Sequence, residues 1–172
     1  LARRGILAAI GHSDAEYSQV CDALEHGYTH ITHLYSGMSS LRRREARRYL
    51  GVVESSYLLD GLTVEVIADG VHLPPELLRL VVKHKELSSI ILVTDATRGA
   101  GLPDGSVVKL GSLAAGQDVV VRDGVAYVLD GSCFGGSVCT SDRCVRVMWK
   151  MAETTLPQAV AMMTLNPCRA LG

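Results

Sequence analysis

The sequence predicts an α/β fold built on a parallel sheet. Two observations lead to this. Across the first hundred residues, four short apolar or β-branched runs alternate with segments of helical character, the pattern of strands joined by helical crossovers. Each of the four runs also ends in a polar residue able to do chemistry: His12, His33, Asp69 with His72 just beyond, and Asp95. Active sites of parallel α/β barrels lie at the C-terminal ends of their strands, so four such endings in succession define a common rim.

Taken in order, "LAAI" (7–10) is the first strand and stops at Gly11-His12. Val20, Cys21 and Leu24 then recur at helical spacing over residues 15–26, with Ser13 or Asp14 as N-cap and Gly27 as the stop. "YTHITHL" (28–34) is the second strand, ending near His33. Its alternation puts Thr29, Ile31 and His33 on one face and His30 on the other, so His33 is expected at the rim and His30 as a satisfied structural histidine. "LRRREARR" (41–48) places five arginines in eight positions and is expected to be helical. It is either a solvated face or an anion site, since guanidinium binds phosphate bidentately. "LTVEVIADG" (62–70) is the third strand. Pro74-Pro75 opens a helix with Leu77, Leu78, Leu80 and Val81 as its apolar stripe. "SIILVTDA" (89–96) is the fourth strand and ends at Asp95.

The character changes after Ala100. "GLPDGSVVKLG", "QDVVVRDG" and "VAYVLDGS" are short strands separated by DG and PDG turns, so residues 101–138 form an antiparallel segment. Residues 139–172 are helical, with a final helix from Leu156-Pro157 to about Leu165. The chain has 172 residues, a net charge of -1 and 48% apolar content, which suits a globular domain and gives no reason to expect nucleic acid as a partner. No apolar run approaches the ~20 residues that span a bilayer, so no membrane is expected. The five cysteines are odd in number and lack CxxC spacing, which with the absence of a signal peptide suits reduced thiols in the cytoplasm. Cys139 and Cys144 are expected as buried small hydrophobes rather than ligands.

Two imidazoles, His12 and His33, suit a divalent transition metal, most simply zinc, with iron(II) as the other choice. Such an ion lowers the pKa of water towards ~7, and Asp95 on the same rim is placed to take the proton.

In order along the chain, "GHSDAEY", "THITHLYSGM", "RRE", "EVIADGVH", "LVTDATRGAGLPDG" and "DGSCFGGSVCT" together resemble the N-acetylglucosamine-6-phosphate deacetylases of the amidohydrolase superfamily. The resemblance implies the C-terminal half of a (β/α)8 TIM-type barrel, residues 1–100 supplying strands 5–8, with part of a small β-sandwich and a homodimer. It implies hydrolysis of the acetamide of N-acetylglucosamine 6-phosphate to glucosamine 6-phosphate and acetate. By resemblance, His12 and His33 are metal ligands and Asp95 is the general base and acid. Ser36, Gly37, Arg44, Asp69, His72, Cys133, Phe134 and Gly135 are substrate contacts, with Arg44 at the phosphate.

Some positions depart from the pattern. Ser36-Gly37 stands where the family has Asn-Ala, Ala46-Arg47 where it has Pro-Gly, and Gly136 where serine is usual. Arg43 or Arg47 could then take over from Arg44. The family's metal-binding glutamate belongs to an earlier strand, so the chain is expected to be part of a longer enzyme, inactive alone unless paired with another copy or the missing half. Rival readings are another amidohydrolase acting on a different amide, and a truncated non-catalytic barrel module.

Overall fold

A computed structural model describes the backbone of residues 1–172 and the side chains of all but Ala2. In chain order the elements are β1 (Ala8–Ile10), α1 (Tyr17–Glu25), β2 (Tyr28–Ile31), β3 (Arg42–Arg44), β4 (Arg47–Tyr49), α2 (Val52–Leu58), β5 (Thr63–Ile67) and α3 (Pro75–His84). They continue with β6 (Ile90–Val93), β7 (Val107–Leu110), β8 (Gln117–Arg122), β9 (Val125–Val128), β10 (Phe134–Ser137), α4 (Ser141–Met151), α5 (Leu156–Met163) and α6 (Leu165–Leu171). Single 3-10 turns occupy Ala2–Arg4 and Leu87–Ser89.

Strands β1, β2, β5 and β6 pair side by side in that order, each neighbour parallel, as the βα alternation requires. Their apolar residues Ile10, Ile31, Val64, Val66, Ile90 and Leu92 join Leu78 and Val81 of α3, Met148 of α4 and Met162 of α5 in one buried cluster. Two buried polar groups close the end of the sheet opposite the rim. The Asn166 amide donates to the carbonyls of Leu87 and Ile90, both at 2.7 Å, which ties α6 to the start of β6. The Lys85 ammonium donates to the carbonyls of Ser56 and Leu62, both at 2.8 Å.

The arginine-rich segment is not a helix. Residues 42–49 form a two-stranded antiparallel ribbon, β3 against β4, and the crossover helix is the next segment, α2. The cause is electrostatic and local. A helix would stack Arg43 on Arg47 and Arg44 on Arg48 at i,i+4, a repulsive arrangement. In the ribbon, Glu45 and Ala46 both take positive φ, 48° and 65°, and make a two-residue turn. Arg42 then pairs with Asp14 at 3.0 Å, and Arg44 pairs with Glu16 at 2.9 Å while lying over the Tyr49 ring.

Smaller differences have similar local causes. Helix α1 is capped by Glu16, not Ser13 or Asp14, because Ser13 is already bridged to Met38. Leu80 is exposed, so the stripe of α3 is centred on Leu78 and Val81. The final helix breaks at Thr164 into α5 and α6. Cys139 and Cys144 are buried free thiols with sulfurs 3.4 Å apart.

The antiparallel segment is a four-stranded sheet in the order β10-β9-β8-β7, with Val119, Ala126 and Val128 as its small core. A sandwich requires two stacked sheets; the described residues form one here, with β10 its unanticipated fourth strand. It joins the parallel sheet through the Ala96–Ser137 bridge, while Arg143 of α4, lying against Gly124 between β8 and β9, donates to the Asp69 carbonyl at 3.0 Å. Among the described residues no helix is long and apolar enough to cross a membrane.

Candidate active site

The C-terminal ends of the four parallel strands open into one cavity of about 560 Å³. His12 follows β1, His33 lies two residues past β2, His72 follows β5 and Asp95 lies two residues past β6; all four line the cavity. Ser36, Gly37, Phe134 and Gly135 line it as well. The structure therefore brings together most of the residues singled out in the sequence. It does not bring Arg44, Asp69 or Cys133 to the cavity wall: Arg44 is held by Glu16 on the ribbon, Asp69 is buried behind His72, and Cys133 is exposed beside the wall.

Strand β2 ends at Ile31, earlier than the pattern suggests, and the backbone turns sharply to deliver His33. His33 has φ of 29°, Tyr35 of 78° and Asp95 of 46°. Non-glycine residues in this region cost about 1–3 kcal/mol each and concentrate at functional sites. Of the three residues expected to do the chemistry, His33 and Asp95 are held this way and His12 is not.

The His12 and His33 rings are 4.9 Å apart between centroids and tilted by 56°. His33 Nδ1 is buried without a hydrogen-bond partner. Two adjacent imidazoles, one with an orphaned ring nitrogen, fit part of a metal site, because imidazole is a preferred ligand of zinc and its neighbours in the series. Among the described residues no group of three or more His, Cys, Asp or Glu side chains is close enough to hold a metal by itself.

His30 and His33, three residues apart, have opposite fates. His30 is buried, with Nδ1 2.6 Å from Thr63 Oγ1 and Nε2 3.0 Å from Glu65 Oε1, the satisfied structural histidine that alternation implies. Glu65 is the residue behind the site that sequence reasoning missed. Its Oε2 accepts from the His33 backbone N–H at 3.2 Å. Burial pushes the Glu65 carboxyl up, but bonds from His30 and the His33 N–H outweigh it and hold the group below its ordinary range. The signal was present: one charged residue inside the β-branched run "TVEVI".

Asp69 plays the matching part for His72. Its Oδ2 lies 2.6 Å from His72 Nδ1, and its Oδ1 accepts from the backbone N–H of Val71 and His72, both at 2.8 Å. Burial raises the Asp69 carboxyl, yet the His72 bond and the two N–H groups leave it below its ordinary value. The carboxylate keeps a proton on His72 Nδ1 and turns the other ring edge towards the cavity. Phe134 packs against the His72 ring at 4.9 Å and Tyr127 at 5.3 Å, giving an aromatic wall contributed by the antiparallel sheet.

Two glycines are dictated by close approach. A Cβ on Gly37, whose φ is 62°, would lie 2.8 Å from the His12 ring. A Cβ on Gly136, φ 107°, would lie 2.7 Å from the Thr97 methyl, which accounts for glycine where the resemblance led one to expect serine.

Comparison with known proteins agrees with this fold. The chain is 34% identical over 172 residues to the N-acetylglucosamine-6-phosphate deacetylase of Bacillus subtilis, covering 100% of this chain and 41% of that protein. It is 31% identical over 172 residues to the N-acetylgalactosamine-6-phosphate deacetylase of Escherichia coli O157:H7, covering 100% and 43%. Among solved structures it is similar to an Asp-to-Ala variant of the Mycobacterium smegmatis N-acetyl-D-glucosamine-6-phosphate deacetylase in complex with N-acetyl-D-glucosamine 6-phosphate. That match has a TM-score of 0.88 and 32% identity over 100% of this chain and 44% of that one. The chain thus spans about two fifths of the length of the relatives it matches. Residues 2–172 match the amidohydrolase family, and with the cavity, its strained histidine and aspartate, and these relatives in view, the chain belongs to that family.

Proposed function

We propose that these residues form the catalytic half of a metal-dependent deacetylase acting on N-acetylglucosamine 6-phosphate, releasing acetate and glucosamine 6-phosphate. The observation that supports it most is the convergence of His12, His33, His72 and Asp95 on one cavity at the ends of four parallel strands. On this reading β1, β2, β5 and β6 are strands 5–8 of a (β/α)8 barrel, and the other strands supply the remaining ligands. Amidohydrolases are generally metal-dependent. His12 and His33 are the side chains that would hold the ion, zinc by preference. When bound, a divalent cation supplies the charge that makes water acidic enough to attack an unreactive amide near neutral pH.

This chain's residues do the rest. Asp95 takes the proton from the attacking water and returns it to the amine nitrogen as the C–N bond breaks, one carboxylate serving as base and then acid. His72, oriented by Asp69, offers its free ring edge to a sugar hydroxyl. Phe134 gives the sugar an apolar face, and Ser36 and the backbone of Gly37 and Gly135 border the pocket. The phosphate is assigned to the arginine ribbon, which is anchored on Asp14 and Glu16, just beyond His12. Arg44 is engaged with Glu16, so Arg43 or Arg47 is the better candidate for that contact. A homodimer in the cytoplasm accompanies this reading, and the free thiols suit that compartment.

The test is release of acetate from N-acetylglucosamine 6-phosphate, N-acetylgalactosamine 6-phosphate and unphosphorylated N-acetylglucosamine. It is run with the 172-residue chain alone and with the chain joined to strands 1–4 of the Mycobacterium smegmatis relative. The chain alone should be inactive. The completed barrel should prefer the phosphorylated glucosamine, and Asp95→Asn should lower kcat about 10²–10⁴-fold. Equal turnover of the unphosphorylated sugar would overturn the substrate. A completed barrel that binds metal without hydrolysing any of the three would point to a non-catalytic module.

A further inference from the structure

Glu65 stands at the meeting point of three features that the proposed chemistry leaves unexplained: a charged side chain inside an apolar strand, a buried histidine, and a strained turn. Both ring nitrogens of His30 are occupied, one by Thr63 and one by Glu65, so that imidazole is fixed in place. The fixed ring holds Glu65 Oε1 and leaves Oε2 directed at the next strand, where it accepts from the His33 N–H. The Glu65 main-chain carbonyl meanwhile accepts from the Leu34 N–H at 2.8 Å. One residue of β5 therefore grips the two successive peptide N–H groups that flank the His33 Cα, those of His33 and Leu34, within the segment where φ turns positive. An isolated strand end would relax such a backbone, because a residue at positive φ gains by returning to the extended region.

We propose that Glu65, pinned by His30, is a positioning residue that holds His33 in its strained conformation and so aims its imidazole at the cation site. This rests on the reading of His33 as a cation ligand. A carboxylate beside a metal-binding histidine commonly acts on the ring nitrogen; here it acts on the backbone of the ligand residue. That choice agrees with His33 Nδ1 having no partner of its own.

The two bonds separate positioning from general stability. Glu65→Ala removes the side-chain bond to the His33 N–H but leaves the main-chain bond to Leu34. Amide hydrogen exchange in the 172-residue chain should therefore quicken at least about tenfold at His33 and change little at Leu34. Glu65→Gln keeps an oxygen for His33 and offers its NH₂ to His30, and should restore slow exchange. Zn²⁺ affinity of the barrel completed with strands 1–4 of the Mycobacterium smegmatis relative, read by competition with a chromogenic chelator, should fall about 10–100-fold in Glu65→Ala and recover in Glu65→Gln. Equal acceleration at His33 and Leu34 would mean that Glu65 merely stabilises the sheet, and would overturn the proposal. So would unchanged Zn²⁺ affinity in the Glu65→Ala form of that completed barrel. If the completed barrel takes up no Zn²⁺ while exchange at His33 alone responds in the 172-residue chain, the hold on His33 stands and the cation-site reading fails instead.

Discussion

The parallel sheet and the antiparallel sheet both reach the cavity, but they are built differently. The parallel strands pack against helices through one large buried cluster, and from the sheet's rim project His33 and Asp95 at positive φ. The antiparallel sheet has a small core around Val119, Ala126 and Val128 and contributes a wall, Phe134 to Gly136, where β10 shifts register against β9 and the positive φ falls on a glycine. The contrast teaches where strain can be kept. A backbone held off its preferred conformation must be over-determined by its surroundings, and a dense core with buried carboxylate bonds provides that. A thin sheet can offer shape and an aromatic face, and asks less of its core.

Several measurements would break or sharpen this contrast. The largest effect is expected in the shared core. Ile31→Ala deletes a fully buried side chain in β2 and should cost about 2–5 kcal/mol in denaturant unfolding. Val119→Ala, equally buried in the thin sheet, should cost only about 1.5 kcal/mol, near the transfer value of the lost groups, since that sheet can close over a small void. Equal losses would remove the distinction. Next comes Gly37→Val, which forces a β-branched residue to φ 62° against the His12 ring; a cost of about 1–3 kcal/mol in unfolding is expected, together with weakened Zn²⁺ uptake.

Acid should separate the regions further. The Asp69 carboxyl is held below its ordinary value of 3.8, so the stability it contributes is complete above that pH and is lost as pH falls through the depressed folded value. Thermal unfolding followed from pH 6 to pH 3 should show a steep acid limb that flattens in Asp69→Asn, with no change in its slope near neutrality. The smallest effect belongs to the thin sheet. Its Lys109–Asp118 pair is partly exposed at 2.8 Å, and Lys109→Ala should shift stability by no more than about 0.5 kcal/mol. A larger loss would mean that surface pairing carries more of this sheet than its core does.

Much of this was legible in the chain itself. The four strands announced themselves by short β-branched runs, and the rim by a polar residue after each, because parallel strands all deliver their ends to one side. His30 and His33 have the surroundings that alternation led one to expect, although His33 lies past the end of β2 and reaches the cavity through a turn. The arginine segment was misjudged because a dense charge run was taken for a helix face, although its like charges at i,i+4 argued against one. Glu65 was passed over because its partners, His30 and the His33 N–H, are more than thirty residues away in sequence.

The sequence by itself determined the alternation of elements and which imidazoles and carboxylates stand at strand ends, since these follow from local periodicity and residue chemistry, and it carried the family through the resemblance of its ordered motifs. Only the tertiary structure decided that His33 and Asp95 sit on strained backbone, that Glu65 bonds the His33 N–H and Asp69 lies behind His72, and that Arg44 is turned to Glu16. Those outcomes depend on which strands become neighbours, and long-range pairing brings together groups that no local pattern connects.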